Sequence, residues 1–383
     1  MRRWTLVAAA ALVLTLVAGV LVAWRGASLA DAVGDGVAAA TGADATDLAP
    51  EPIVEGSTLV DARTGEAWTP RGVTWTGFAT ACAQGWGYST LDALGEDGAA
   101  QEAAALAAWD VDTVRLTLNL DCWSDTGRGA PVGDAFHARD VAGYRAQVVA
   151  FVDALHAEGL AVVLSLDTRK AQGSDEVERP AFPGSASIAF WSLVGRTFAD
   201  DPSVMFELYA RPGEPSTRST STSPWVDEGA LWRDGDYSHA GATALLEAVR
   251  GAGAEQPVLL AGLSAGQDLG SWLALAPADG QLVASFQPTP GGACATTSCW
   301  DREVAPVADV VPVVATEVSA GEDGTDADVA RAYARWARQH GTGLLLGWWR
   351  TGAADDGSLV SDDAGSPTAW GTVAAGLLAS ARD

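Results

Sequence analysis

The chain has 383 residues with 48% hydrophobic content, enough for one large domain or two small ones with a sizeable core. Acidic residues outnumber basic ones 49 to 23, a formal charge of −26, and Lys170 is the single lysine. That surface repels phosphate backbones and anionic lipid heads, which argues against nucleic acid as a partner and leaves a neutral polysaccharide unaffected.

Met1-Arg2-Arg3 precedes an uncharged run from Trp4 to Trp24, 21 residues long, that ends at Arg25. A cleaved secretory signal carries an apolar region of roughly 7–15 residues, whereas spanning a bilayer takes about 20. Residues 1–25 therefore read as a signal-anchor, with the basic pair kept inside and everything after it exported. Ser28-Leu29-Ala30 offers a cleavage site, in which case the protein is secreted rather than membrane-anchored. Residues 26–50, rich in Ala, Gly and Asp, read as a flexible tether, and residues 51–383 as one domain, because no Pro/Ser-rich linker or charge run divides them. The four cysteines all lie beyond the N-terminal segment; in an oxidising compartment an even number suggests two disulfides. Zinc is the alternative, but there is no Cys-x-x-Cys pair and no histidine near any of them. No metal or cofactor is expected.

Thr58–Trp68, with its Thr64-Gly65 turn, reads as a β-hairpin. Eight short apolar runs then alternate with Ala-rich helical stretches: Arg71–Thr76, Val111–Leu120, Leu160–Asp167, Val204–Ala210, Pro257–Leu263, Leu282–Gln287, Val311–Glu317 and Gly343–Trp349. Continuous rather than alternating apolar runs indicate strands covered on both faces, as in a parallel sheet. Val141–Glu158, followed by Gly159, and Asp326–His340, followed by Gly341, are the clearest helices. Eight strand–helix units in this length predict a (β/α)8 barrel of the TIM type, with the N-terminal hairpin closing its bottom. Cys82 and Cys122 follow neighbouring strands and Cys294 and Cys299 share one loop, so these are the expected disulfide pairs.

Active sites on this fold lie at the C-terminal ends of the strands. The polar residues there are Arg115, Asn119 and Asp121 after the second strand, Asp167 and Arg169 after the third, Arg211 and Glu214 after the fourth, Gln287 after the sixth and Glu317 at the end of the seventh. Trp348 and Trp349 end the eighth. The chain has 16 tryptophans, and indole faces suit sugar rings, so Trp75, Trp123, Trp348 and Trp349 are candidate ligand-stacking residues.

Several segments, in order, resemble the cellulase-type members of glycoside hydrolase family 5. Arg71-Gly72-Val73-Thr74-Trp75-Thr76-Gly77-Phe78 is similar to the first-strand motif, with Ala81-Cys82-Ala83-Gln84-Gly85-Trp86-Gly87 after it. Val114-Arg115-Leu116-Thr117-Leu118-Asn119-Leu120-Asp121-Cys122-Trp123 resembles the second-strand motif with its site arginine. Cys294 to Trp300, Val304–Ala308 and Val311–Glu317 resemble the approach to the nucleophile, and Gly365-Ser366-Pro367-Thr368 the tail. The resemblance implies a monomeric glycosidase acting on a β-glucan-like carbohydrate, with two glutamates about 5–5.5 Å apart. It makes Glu317 the nucleophile, places Arg115 beside it, and makes Trp348 the floor of a sugar subsite.

The chain departs from that pattern at five positions. The family's Asn-Glu-Pro is here Ala210-Arg211-Pro212, so the acid/base position carries a cation that has no proton to give at useful pH. The family histidine after the third strand is Asp167, and the His-x-Tyr pair after the sixth is Gln287-Pro288-Thr289. Gly213-Glu214-Pro215, three residues farther on, has the look of a displaced Asn-Glu-Pro. The expectation is a catalytically impaired, carbohydrate-binding barrel. The alternatives are an active retaining enzyme using Glu317 with Glu214, and a purely structural exported barrel. Arg211 is expected to pair with Asp167 or Glu317 and to plug the pocket.

Overall fold

A computed structural model describes residues 48–124, 126, 141–172, 174, 176–213, 227–321, 324–349 and 357–380. The expected anchor, most of the expected tether, and Glu214 lie outside the described residues. No described helix is long and apolar enough to cross a membrane.

The compact unit runs from Leu48 to Asp383. It takes in the last three residues of the expected tether because their backbone is held: Arg63 Nη2 donates to Leu48 O at 2.8 Å and Ser203 Oγ to Ala49 O at 3.3 Å. Strands β1 (Pro52–Glu55), β2 (Thr58–Asp61) and β3 (Glu66–Trp68) form an antiparallel sheet, one strand more than the predicted hairpin. The Thr64-Gly65 turn is where predicted, with both amides donating to Asp61 O.

The remaining strands include a closed parallel barrel of β4 (Arg71–Trp75), β5 (Thr113–Asn119), β6 (Ala161–Lys170), β8 (Val204–Glu207), β9 (Val258–Ala261), β10 (Leu282–Phe286), β11 (Val313–Val318) and β12 (Gly343–Leu346). The ring closes through the β5–β6 and β12–β4 pairings. The short β7 (Val177–Glu178) adds antiparallel to the overhanging end of β6. All eight predicted runs are barrel strands, and the predicted helices appear as Val141–Ala157 and Asp328–His340, the latter capped by Gly341 at φ 64°. The β5 backbone passes so near β4 that a Cβ at Gly72 would lie 1.7 Å from Thr113 O, which fixes glycine there.

Two cores result. Outward-facing strand residues pack under the helices in one large cluster. Inside the barrel, Val163, Met205, Leu259, Val283, Val314 and Leu345 form an apolar floor, closed from below by Leu59 with Val54 and Trp68 of the N-terminal sheet. Gln281 clamps that sheet on, since its Oε1 accepts from Val54 N at 2.8 Å. Disulfides join Cys82 to Cys122 and Cys294 to Cys299, with Cα separations of 6.2 and 5.4 Å. The first ties the loop after β4 to the segment after β5.

Ser264 and Ala265, just after β9, both take left-handed backbone angles (φ 54° and 61°). Ala265 N donates to Pro212 O and Gln287 N to Gly266 O, both at 2.9 Å, so this turn braces the ends of β8 and β10. A left-handed L-residue costs about 1–2 kcal/mol, partly offset by its lower entropy when unfolded. Ser264→Gly, at an exposed position, is expected to stabilise the protein by about 0.5–1 kcal/mol in urea unfolding.

Candidate functional site: a buried arginine and an ion-paired mouth

One layer above the apolar floor the barrel interior turns polar. Alternation along the strands points Thr74, Arg115, Ser165, Glu207, Ser285 and Thr316 inward, and each is at most 1% exposed. Arg115 is the centre of this layer. Its Nε donates to Glu207 Oε2 at 2.6 Å, its Nη1 to Glu317 Oε2 at 3.0 Å and its Nη2 to Ser165 Oγ at 3.1 Å. Glu207 is held on its other sides by Ser165 Oγ (2.6 Å) and Thr316 Oγ1 (2.8 Å). Burial alone would make the Arg115 guanidinium easier to deprotonate, but Glu207, Glu317 and Asp167 push its pKa above the ordinary value.

Above this layer lies the mouth. Arg211 Nη1 is 3.7 Å from Glu317 Oε1, an ion pair rather than a close hydrogen bond. Asp167 is not paired with Arg211, one of the two partners expected for that cation. It accepts from Arg179 instead, with Nε 3.1 Å from both carboxylate oxygens and Nη2 2.9 Å from Oδ2. Arg179 wins because its planar fork presents two parallel donors from the β7 side. Burial works to raise the Asp167 pKa, yet Arg179 above all, then Arg115 and Arg211, bring it below the ordinary carboxylate value.

The other substituted positions have structural roles. Ala210 is 1% exposed and its amide donates to Leu166 O. Gln287, also buried, donates from Nε2 to Ala210 O at 2.8 Å, binding the end of β10 to the segment after β8. Thr289 is half-buried and accepts from Gly292 N through its carbonyl. Asn119 spans Ala79 O and Thr168 Oγ1 and accepts from the amides of Asp121 and Cys122. Asp121 anchors Lys170 N, and Arg169 pairs with Glu178 at 2.5 Å.

Three of the four candidate stacking residues are corrected by their burial. Trp75 faces outward under helix Gly98–Ala107, with Nε1 donating to Glu102 Oε1 at 2.8 Å and its ring against Phe78 and Phe151. Trp123 lies edge-on to Tyr144 and Phe190, and Trp349 packs on Trp109 with centroids 5.0 Å apart. All three are at most 1% exposed, so no sugar ring reaches them in this structure. Trp348 alone is half-buried. Next to it, a Cβ at Gly347 would meet Glu317 Cγ at 3.1 Å, so the backbone just after β12 runs close against the Glu317 side chain.

Sequence reasoning did not single out Glu207, Ser165, Thr316 or Arg179. A lone glutamate in the run Val204-Met205-Phe206-Glu207 was the available signal, since a carboxylate inside a parallel barrel needs a partner cation.

Solved structures share this architecture. A β-glucanase from Saccharophagus degradans, in complex with cellotetraose, superposes with a TM-score of 0.66 at 16% identity, covering 89% of this chain and 96% of that one. The hyperthermophilic endocellulase of Pyrococcus horikoshii gives 0.64 at 15% identity, covering 88% of this chain and 100% of that one. The catalytic domain of the major endoglucanase of Xanthomonas campestris gives 0.59 at 15%, with coverage of 85% and 99%. The barrel has the cellulase fold. No protein-family model and no curated protein matches the sequence.

Two outcomes follow from the polar layer. Glu207→Ala strands the buried Arg115 charge and is expected to destabilise the protein by about 3–5 kcal/mol in denaturant unfolding. The Asp167 pKa is depressed in the folded state, so its ion pair contributes fully above the ordinary carboxylate pKa of about 3.9 and is lost as pH falls through the lower folded value. The unfolding free energy measured from pH 7 to pH 2.5 should therefore fall less steeply with acid in Asp167→Asn than in the parent.

Proposed function

We propose that this chain is a carbohydrate-binding barrel of the cellulase type with little or no hydrolytic turnover. The observation that carries the proposal is Arg211, 3.7 Å from Glu317, standing where the resemblance puts the proton donor. A guanidinium does not protonate a leaving alkoxide, and general acid catalysis is worth typically 10²–10⁴-fold. Arg211 also adds positive charge where an oxocarbenium-like centre has to develop.

Among the described residues, neither carboxylate near Arg211 replaces the donor. Asp167 is locked to Arg179 and its pKa is lowered, so it holds no proton near neutrality. Glu207 is bonded to Arg115 in the buried layer, with no solvent exposure. Glu317 has guanidinium nitrogen on both oxygens, which draws charge from a would-be nucleophile.

The structural neighbour solved with cellotetraose supports a β-glucan-like ligand for this mouth. The half-buried Trp348 is the remaining candidate platform. Burial of Trp75, Trp123 and Trp349 favours, as a second reading, a structural barrel that binds no sugar. Export is part of the proposal: the run Trp4–Trp24 is long enough to anchor the barrel outside the membrane. Recovery of a soluble form beginning near Asp31 would instead make the protein secreted.

Calorimetry with cellotetraose is expected to show binding that Trp348→Ala weakens about tenfold; absence of binding would favour the structural reading. An activated aryl β-glucoside, whose leaving group needs no acid, is expected to be turned over negligibly. Turnover that Glu317→Ala abolishes would sink the impaired reading.

A further inference from the structure

Tyr237 is 98% exposed, whereas Tyr88 is half-buried and Tyr144, Tyr209 and Tyr333 are buried. Exposure alone is ordinary on a protein surface. What sets Tyr237 apart is the turn that carries it and the hollow beside it. Asp236 Oδ1 accepts from the amides of Ser238 and His239, both at 2.8 Å, and Asp236 N donates to His239 O at 2.9 Å. The Ser238 amide above all holds the Asp236 carboxyl down at a pKa of about 2, so the turn stays closed at ordinary assay pH. The turn is also docked on its neighbours: Ser185 N donates to Ser238 O at 3.3 Å and Ala240 N to Pro183 O at 2.8 Å. The ring is thus presented on a fixed backbone, with little ordering left for a ligand to impose.

Next to it, at the ends of β5 and β6, Asp121, Thr126, Arg169, Gly184, Ser185 and Ser238 line a hollow of about 300 Å³, within the size range of ligand pockets. The hollow holds both donors and acceptors. Arg169 uses Nε on Glu178 at 2.5 Å and leaves Nη1 and Nη2 unbonded, with Nη1 beside Gly184. The Ser185 hydroxyl caps no amide of its helix. Asp121 accepts from Thr126 Oγ1 on Oδ1 and from Lys170 N on Oδ2, and a carboxylate has room for about four such bonds. Sugar hydroxyls donate and accept at once, and the face of a sugar ring is apolar enough to lie on an aromatic one. The Asp121 charge, in a chain of net charge −26, disfavours an anionic ligand.

We propose that Tyr237 and this hollow form a second subsite for a neutral glycan, with the Tyr237 ring as platform and Arg169, Asp121 and Ser185 on the hydroxyls. The subsite shares no residue with the ion-paired mouth. It rests on the carbohydrate-binding reading and adds where on the barrel a glycan is held.

The test is nitration of the full chain with tetranitromethane, which attacks exposed phenol rings, mapped by peptide mass spectrometry with and without cellotetraose. Tyr237 is expected to be the fast-reacting tyrosine, and near-saturating cellotetraose to slow its nitration at least about fivefold. In calorimetry on the Trp348→Ala background, Tyr237→Ala and Arg169→Gln should each weaken cellotetraose binding about tenfold, with thermal unfolding confirming that the variants are folded. Cellotetraose binding with Tyr237 nitrated at an unchanged rate would overturn the subsite and leave carbohydrate binding standing. Absence of cellotetraose binding would remove both. Equal protection of Tyr237 by glycerol at the same concentration would show no glycan recognition and overturn the inference.

Discussion

The structure depends on one buried cation. Arg115 lies in the middle of the barrel with no solvent contact, and a guanidinium does not escape that position by losing its proton. The interior must therefore supply compensating groups, and it does so from three strands: Glu207 on β8, Glu317 on β11 and Ser165 on β6. Their reach fixes the stagger of those strands around β5. Removing one partner from such a cluster is far more costly than the cluster is stabilising as a whole.

This gives Glu317 a reason to exist that has nothing to do with chemistry. It neutralises Arg115 together with Glu207. A barrel that has ceased to turn over substrate would still need a carboxylate there, so its presence is weak testimony for activity. The residues around it tell more. Ala210, Gln287 and Asp167 are each engaged with protein partners, through the Leu166 carbonyl, the Ala210 carbonyl and Arg179 respectively. At these positions the mouth is knitted by contacts within the protein.

Those contacts also explain why the fold persists at 15–16% identity to endoglucanases and β-glucanases. What the barrel requires is apolar floor residues, an interior charge balance and glycine at a close strand crossing such as Gly72. Many sequences meet those conditions. The identity of the strand-end side chains is left to function, or to whatever replaced it.

The sequence by itself determined the eight strands, because a strand covered on both faces must be apolar along its length. It also determined the two disulfide pairs, through the loops in which the cysteines lie, and the place of Glu317 near the end of its strand, whereas Arg115, read as lying at a strand end, sits inside β5. Tertiary structure decided the partners. Asp167 pairs with Arg179 rather than Arg211 because β7 folds back antiparallel on β6, a pairing two residues long that carries no sequence signal. Trp75, the last residue of β4, and Trp123 and Trp349, beyond the ends of β5 and β12, are buried because a residue at or past a strand end faces outward or inward according to backbone path, which hydropathy does not encode. Glu207 went unnoticed for a related reason: in a one-dimensional reading a glutamate among apolar residues is an exception, and only the closed ring places it against the arginine from β5.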